Sequence, residues 1–334
     1  MRIAFQTNQL SLYGTEIALY DYAYFNETLL DNESYVVVKE VHTFPHDKTV
    51  IDKFTQRFPN RVYFYKNPDD LERYLLENKI DVFYSIKAGV NDGVMSKNIK
   101  NCMHSVFQFF EPHGDVYAYV SEWLSNKMTN GKYPFVPHMI NLPDTDKNWR
   151  SQLGIPVDAV VLGRYGNYNS FNIPFVLQCI NDVMDQRPDL YLLLVHTSPS
   201  CELNRNLIIK THNRIKYLPS ISDLTKKVEF INTCDAMLHA RINGESFGLA
   251  IGEFASKNKQ IITWTGKDVQ KYYHHAHDTA HLEMLGDKGI YYNDYNDIKN
   301  ILLTFKPDKT QNWNVYSDKY NPEVVMKKFK EVFL

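Results

Sequence analysis

Cysteine is scarce in this 334-residue chain, and its four copies, Cys102, Cys179, Cys201 and Cys234, are widely scattered with no Cys-x-x-Cys spacing. That argues against a disulfide framework or a cysteine zinc site and fits a reducing compartment. An excess of either charge is also lacking: 37 Lys and Arg stand against 39 Asp and Glu, for a formal net charge of -2. No global electrostatic case therefore exists for nucleic acid or an anionic membrane as partner. No apolar run approaches the roughly 20 residues that span a bilayer, although a peripheral membrane contact stays open. The opening segment MRIAFQTNQL has neither the basic flank nor the apolar run of a secretion signal and reads as a strand. A cytoplasmic location is expected. No repeat with a period of 20–50 residues is visible, which argues against a solenoid.

What the chain does have is material for two cores. Hydrophobic residues make up 44% and charged ones 23%, a globular composition, and the length suggests two domains of roughly 150 residues. Aromatics reach 14%, mostly Tyr and Phe, and are expected chiefly in the cores. Short apolar strands alternate with amphipathic helices, the pattern of a parallel α/β sheet. In the first half, strands are predicted at 2–7, 35–40, 62–65, 81–86, 105–109, 116–120 and 135–137. Helices are predicted near 15–30, 50–58, 69–78 and 121–127, with Asp69 and Asp70 placed for a helix start. A polar stretch around Pro143 reads as a linker. The rhythm then restarts, with strands at 160–164, 191–196, 214–218, 236–239, 261–264 and 289–291. Helices are predicted near 173–186, 203–213, 222–233, 249–257 and 296–303, and a closing helix spans 322–333 with Asn321 as its cap and Pro322 first. The expected architecture is α/β, with two Rossmann-like, doubly wound parallel-sheet domains facing a cleft. Residues 1–142 with the closing segment 316–334 form one domain and 143–315 the other. Such sheets bind ligands at the carboxyl ends of their strands.

The stretch from Cys234 to Glu253 carries the chemistry. An apolar strand, Ala236–Leu238, runs into a loop with Gly244 and Gly248, then into a helix starting near Leu249. Amides at such a helix start form an anion site, and a glycine at 248 lets a ligand approach the backbone. Glu245 stands over that site and Glu253 about one turn into the helix.

The run Glu245-Ser-Phe-Gly-Leu-Ala-Ile-Gly-Glu253 resembles the signature of retaining GT-B glycosyltransferases, group 1 or family 4-like, in which two glutamates are separated by seven residues. Ser246, Gly252 and Phe254 depart from the usual E-G-F-G-L and L-E-A form. The resemblance implies a hexosyl-type transfer from a nucleoside-diphosphate sugar to the hydroxyl of a glycan, lipid or other small acceptor, with no cofactor and no metal. It implies that Glu245 contacts the donor sugar, that Ser246, Phe247, Gly248 and Leu249 offer amides to hydroxyls and phosphate, and that Glu253 binds the ribose. Upstream, Leu153–Gly166 resembles the opening of the donor domain, where a strand ends in Gly-Arg. Arg164 then binds the diphosphate, and Leu218 joins the donor-binding set. The family's lysine after this arginine is missing from Asn167–Asn172, and Arg241 is the substitute candidate.

In the first half, Leu12-Tyr-Gly-Thr-Glu16 resembles the family's G-G-x-E loop with only Gly14 kept, which places Gly14 near the donor phosphates. Val106–Glu122 resembles the strand, histidine loop and V-S-E strand of relatives. The active-site histidine falls on His113, with His104 as second candidate. Three features are set aside. Asp144-Thr-Asp146 reads as the D-x-D metal signature of another glycosyltransferase fold but sits in the linker. The cluster His274, His275, His277 and His281 invites zinc, since His277 and His281 are one helical turn apart, but lacks a complementary carboxylate or cysteine. Lys87 and Asp92 are as readily solvated as acceptor-facing. Two other readings stay open: a nucleotide-sugar-binding protein without turnover, and a sugar-nucleotide epimerase or phosphorylase of the same fold.

Overall fold

The computed structural model describes every residue except 42–44, 202–203 and 274–276. Two compact units emerge: Met1–Met139 with Asp318–Leu334, and Ile140–Ser317.

In the first unit, six strands form one parallel sheet: β1 (Arg2–Thr7), β2 (Glu33–Lys39), β3 (Val62–Tyr65), β4 (Val82–Lys87), β5 (Lys100–Ser105) and β6 (Val116–Tyr119). Their spatial order is β3-β2-β1-β4-β5-β6. Helices α1 (Gly14–Thr28), α2 (Lys48–Arg57), α3 (Pro68–Glu77) and α4 (Glu122–Thr129) connect or flank them. Their starts are chemically marked. Asp47 caps α2, Ser121 caps α4, and Asn67 caps α3 with Pro68 first, which leaves Asp69 and Asp70 in the first turn to meet the helix dipole.

Two strand expectations need correction. The predicted strand 105–109 is displaced to β5. The alternation of Val106, Phe107 and Phe109 mimics a strand, but these residues form a loop that leaves Phe107, Phe109 and Phe110 44–49% exposed. Polar β5 can lie in the sheet because its buried Asn101 is satisfied by Ser96 and Ile99. The predicted strand at 135–137 reduces to a single parallel bridge between Tyr119 and Phe135.

The second unit repeats the plan with β7 (Val160–Arg164), β8 (Leu190–Val195), β9 (Ser200–Cys201), β10 (Asn204–Ile208), β11 (Ile215–Leu218), β12 (Ala236–His239), β13 (Gly244–Glu245), β14 (Gln260–Trp264), β15 (Asp278–Thr279) and β16 (Gly289–Tyr292). Its main sheet is parallel, in the order β11-β8-β7-β12-β14-β16. Counted within their own units, both sheets run 3-2-1-4-5-6, the Rossmann order, which reverses direction between the first and fourth strands. Helices α5 (Pro174–Val183), α6 (Leu224–Thr233), α7 (Leu249–Ser256), α8 (Ala280–Leu285) and α9 (Tyr295–Thr304) belong to this unit. The predicted helix 203–213 is not formed. Leu203 lies outside the described residues, and β10 pairs antiparallel with β9 instead. Asn181 of α5 bonds the Ile208 carbonyl and the Lys210 amide at 2.9 and 2.8 Å, so tertiary contacts override local helix preference.

After the short α10 (Ser317–Tyr320), α11 (Pro322–Phe333) returns to the first unit, capped by Asn321 as its sequence implies. Its Phe329 packs on Phe5, Tyr22 and Tyr84, with ring centroids 5.0–6.3 Å apart. Phe329 thus joins an aromatic cluster in the core of the first unit. Among the described residues, no helix is long and apolar enough to cross a membrane.

Candidate active site

In the second unit, the direction of the sheet reverses between β7 and β12, and the loops leaving their carboxyl ends flank that point. The two loops are stitched together: Asn172 N–H donates to the Ala240 carbonyl, and the Asn172 side chain accepts from Ile242 N–H, both at 2.9 Å. Into this crevice comes the start of α7. Gly248 precedes it with φ +91°, a left-handed conformation, and a side chain there would also meet Glu245 at 3.3 Å. The first-turn amides of α7 therefore present unpaired donors and the positive end of the helix dipole.

Glu245 is fixed from both ends. Its backbone lies in the parallel β13–β15 pairing, opposite Thr279. Its carboxylate accepts from Arg241 Nη1 at 2.8 Å on one oxygen and faces His239 Nε2 at 3.3 Å on the other. Burial pushes this carboxyl up, but Arg241 and His239 outweigh it and hold the group well below the usual carboxylate range. Glu245 is an anion. Arg241 is consequently occupied, and its candidacy as a replacement for the missing lysine has a carboxylate already in place.

Arg164 ends β7 and is buried. Its guanidinium donates to the Thr197 and Ser170 hydroxyls and, at 2.8 Å, to the Asn167 carbonyl. All three are neutral groups. Desolvation drags its pKa down to about 9, the mark of a buried cation with no carboxylate bonded to it.

Glu253 is buried in α7. One oxygen accepts from Lys227 Nζ at 2.8 Å and the other from the Tyr165 hydroxyl. A carboxylate has about four acceptor sites, so both contacts leave lone pairs over, but the group is not waiting empty for a ribose. The resemblance does not single out Lys227 or Tyr165. The signal for Lys227 is its spacing: it stands three and four residues before Phe230 and Ile231, on the buried stripe of α6.

The remaining donor-side residues divide by exposure. Ser246 and Leu249 are half-buried and Gly248 is buried. The Phe247 ring packs against Tyr316, so its contribution to a ligand comes through its amide. Leu218, half-buried at the end of edge strand β11, accepts from His196 N–H at 2.9 Å through its carbonyl. Gly252, one of the departures from the family pattern, has a packing cause: a side chain there would meet Ile140 and Tyr316 at 2.7 Å.

In the first unit, Gly14 is exposed and opens α1, whose start has no side-chain cap. Just after it, buried Glu16 is held by the hydroxyls of Ser11, Thr15 and Thr7, and burial raises its pKa. His113 is 9% exposed. It lies between Glu111, whose N–H bonds the Gly89 carbonyl, and Gly114, which abuts Asn101 at the amino end of β5. Its Nδ1 donates to the Glu111 carbonyl at 2.6 Å, since a carbonyl only accepts, and the other ring nitrogen is Nε2. That atom has no hydrogen-bond partner among the described residues. The second candidate, His104, is a core residue: fully buried, bonded to the Tyr84 hydroxyl at 2.6 Å and packed against Phe333.

Asp144 is paired with Lys257 at 2.6 Å. Of the histidine cluster, His274 and His275 lie outside the described residues. Among the described residues, no group of three His, Cys, Asp or Glu is arranged to hold a metal ion. Lys87 is buried and donates to Asp92 and the Val94 carbonyl.

Comparison with known proteins bears on the fold. The chain matches no protein-family profile and no curated protein sequence. Solved structures do match over nearly its whole length. A glycosyltransferase from Rickettsia africae superposes with a TM-score of 0.69 at 13% identity, covering 99% of this chain and 97% of its own. Anabaena Alr3699/HepE in complex with UDP-glucose gives 0.68 at 14% identity, covering 99% and 98%. A protein assigned as a UDP-N-acetylglucosamine 2-epimerase from Listeria monocytogenes gives 0.58 at 10% identity, covering 98% and 94%. With two parallel six-stranded sheets of Rossmann order, the chain has the GT-B fold of these glycosyltransferases.

Proposed function

We propose that the protein is a glycosyltransferase that moves a sugar from a nucleoside-diphosphate sugar to an acceptor hydroxyl, with retention and without a metal ion. What carries the reading is a convergence at the reversal point of the second sheet. An uncapped helix start, a buried Arg164 with only neutral partners and an ionised Glu245 meet there. The first two suit a diphosphate, and the third suits sugar hydroxyls, which donate to a carboxylate.

In this reading the bond between the anomeric carbon and the diphosphate oxygen breaks, leaving its electron pair on oxygen. Arg164 and the α7 amides stabilise that charge. The acceptor oxygen bonds to the carbon on the face being vacated, and its proton passes to the departing phosphate. Glu253 takes the ribose with its remaining lone pairs. His113 is the residue that family resemblance assigns to the donor sugar, and its Nε2 suits a sugar hydroxyl. The UDP-glucose held by HepE supports trying UDP-sugars first.

The competing reading, a binding protein without turnover, draws on residues 167–172, where Ser170 binds Arg164 and no lysine is present. Thermal-shift titrations with UDP, GDP, ADP and their sugars, in EDTA, test the donor assignment. A true donor at a hundredfold excess over its Kd adds about 2.7 kcal/mol of stability. Release of nucleoside diphosphate in the same buffer separates the enzyme from the binder, and recovery of release only on adding manganese would overturn metal independence.

A further inference from the structure

Behind Glu245 runs a buried chain of side chains drawn from three separate elements. His239, at the end of β12, faces Glu245 Oε1 with Nε2 at 3.3 Å and Thr263 Oγ1 with Nδ1 at 2.8 Å. Thr263, on β14, in turn faces Nε2 of His281, on α8, at 3.2 Å. Exposure is 5% for His239 and zero for Thr263 and His281.

With both rings neutral, the proton positions follow from counting. An ionised Glu245 only accepts, so His239 Nε2 must carry a proton. In a neutral ring His239 Nδ1 is then an acceptor, and the single Thr263 hydroxyl proton must point to it. The Thr263 oxygen is left to accept, so His281 Nε2 carries a proton as well. Burial keeps His281 neutral, holding its pKa well below the ordinary value. Each link has one donor and one acceptor, and all donate toward Glu245.

We propose that His239, oriented by Thr263 and His281, is a positioning residue that fixes the Glu245 carboxylate for the hydroxyls of the donor sugar. This rests on Glu245 facing that sugar, as proposed above. Arg241 holds the other oxygen, so the carboxylate is clamped on both sides and its remaining lone pairs point in fixed directions. A ligand-facing group held this way needs little reorganisation when the sugar arrives.

Ring nitrogen-15 shifts of the uniformly labelled full chain, assigned by loss of signal in His239→Gln and His281→Gln, test the chain without any donor. The expected result is the Nε2–H tautomer at both rings, and Nδ1–H at either overturns the proposal. Turnover is then measured with UDP-glucose, GDP-mannose and ADP-glucose. His239→Ala and Thr263→Val should lower it, His239→Ala by about a hundredfold, with UDP affinity within twofold of wild type. His239→Gln, which can keep an N–H toward Glu245, should recover most of the loss. A His239→Ala protein within twofold of wild type, or a His239→Gln protein as slow as His239→Ala, overturns the positioning role. If the wild type turns over none of the three donors, the functional reading is what suffers, and the nitrogen-15 result still decides the proton chain.

Discussion

Lys227 Nζ lies 2.8 Å from Glu253 Oε1, with both side chains less than 10% exposed. The pair joins α6 to α7, the helices on either side of β12. It sits where the sequence alone suggests a ribose-binding carboxylate.

Breaking a buried ion pair from one side typically costs about 3–5 kcal/mol, because the partner charge is stranded. Lys227→Met should therefore destabilise the fold by about that much, measured by urea unfolding. Glu253→Gln should also weaken UDP binding, by about 1.5–3 kcal/mol if a charged hydrogen bond to the ribose is lost. Calorimetry showing unchanged UDP affinity in Glu253→Gln would leave Glu253 as the partner of Lys227 alone.

Arg164 makes a contrasting prediction. Its bonded protein partners are neutral, so removing its charge strands no carboxylate bonded to it. Arg164→Met should lower affinity for UDP by roughly 1.5–3 kcal/mol, about ten- to a hundredfold. Equal UDP affinity in the variant and the wild type would remove Arg164 from the diphosphate site.

Buried histidines make the fold acid-sensitive. Burial pulls His104 and His277 down to about 4, against roughly 6.5 when unfolded. Their contribution is fully present above pH 6.5, where both states are neutral. It is lost as pH falls toward 4, because the unfolded chain binds the proton first. His104→Leu should flatten the slope of stability against pH between about 6 and 4.5 by up to about 1.4 kcal/mol per pH unit. Parallel curves for the variant and the wild type would show that His104 does not titrate as a buried neutral group.

His113→Ala and Glu245→Ala should each cut turnover while leaving UDP affinity nearly intact, since both are assigned to the sugar. Near-normal turnover in His113→Ala would remove this histidine from the chemistry. His104 is no fallback, being buried in the core.

The legible parts of the molecule are those written in local pattern. The parallel strands 160–164 and 236–239, the cap and proline before α11, and the glutamate spacing of 245 and 253 each depend on a few adjacent residues. The pairing of β9 with β10 was not legible, because such short strands carry no measurable period and their stabilising contact, Asn181, lies on another element. The loop 106–110 misled for the opposite reason, offering strand-like alternation where the sheet instead takes Lys100–Ser105. The surroundings of Glu245 escaped entirely: His239, Thr263 and His281 are spread over 43 positions and meet only once the strand order is known.

The return of α11 to the first unit has a consequence for how the molecule is made. Phe329 and Phe333 complete a core that begins with Ile3 and Phe5. All of Ile140–Ser317 is translated between those two contributions. When Ser317 is added, the second unit has its full set of residues while the first still lacks Phe329 and Phe333. The half begun first is thereby the half whose residues are completed last.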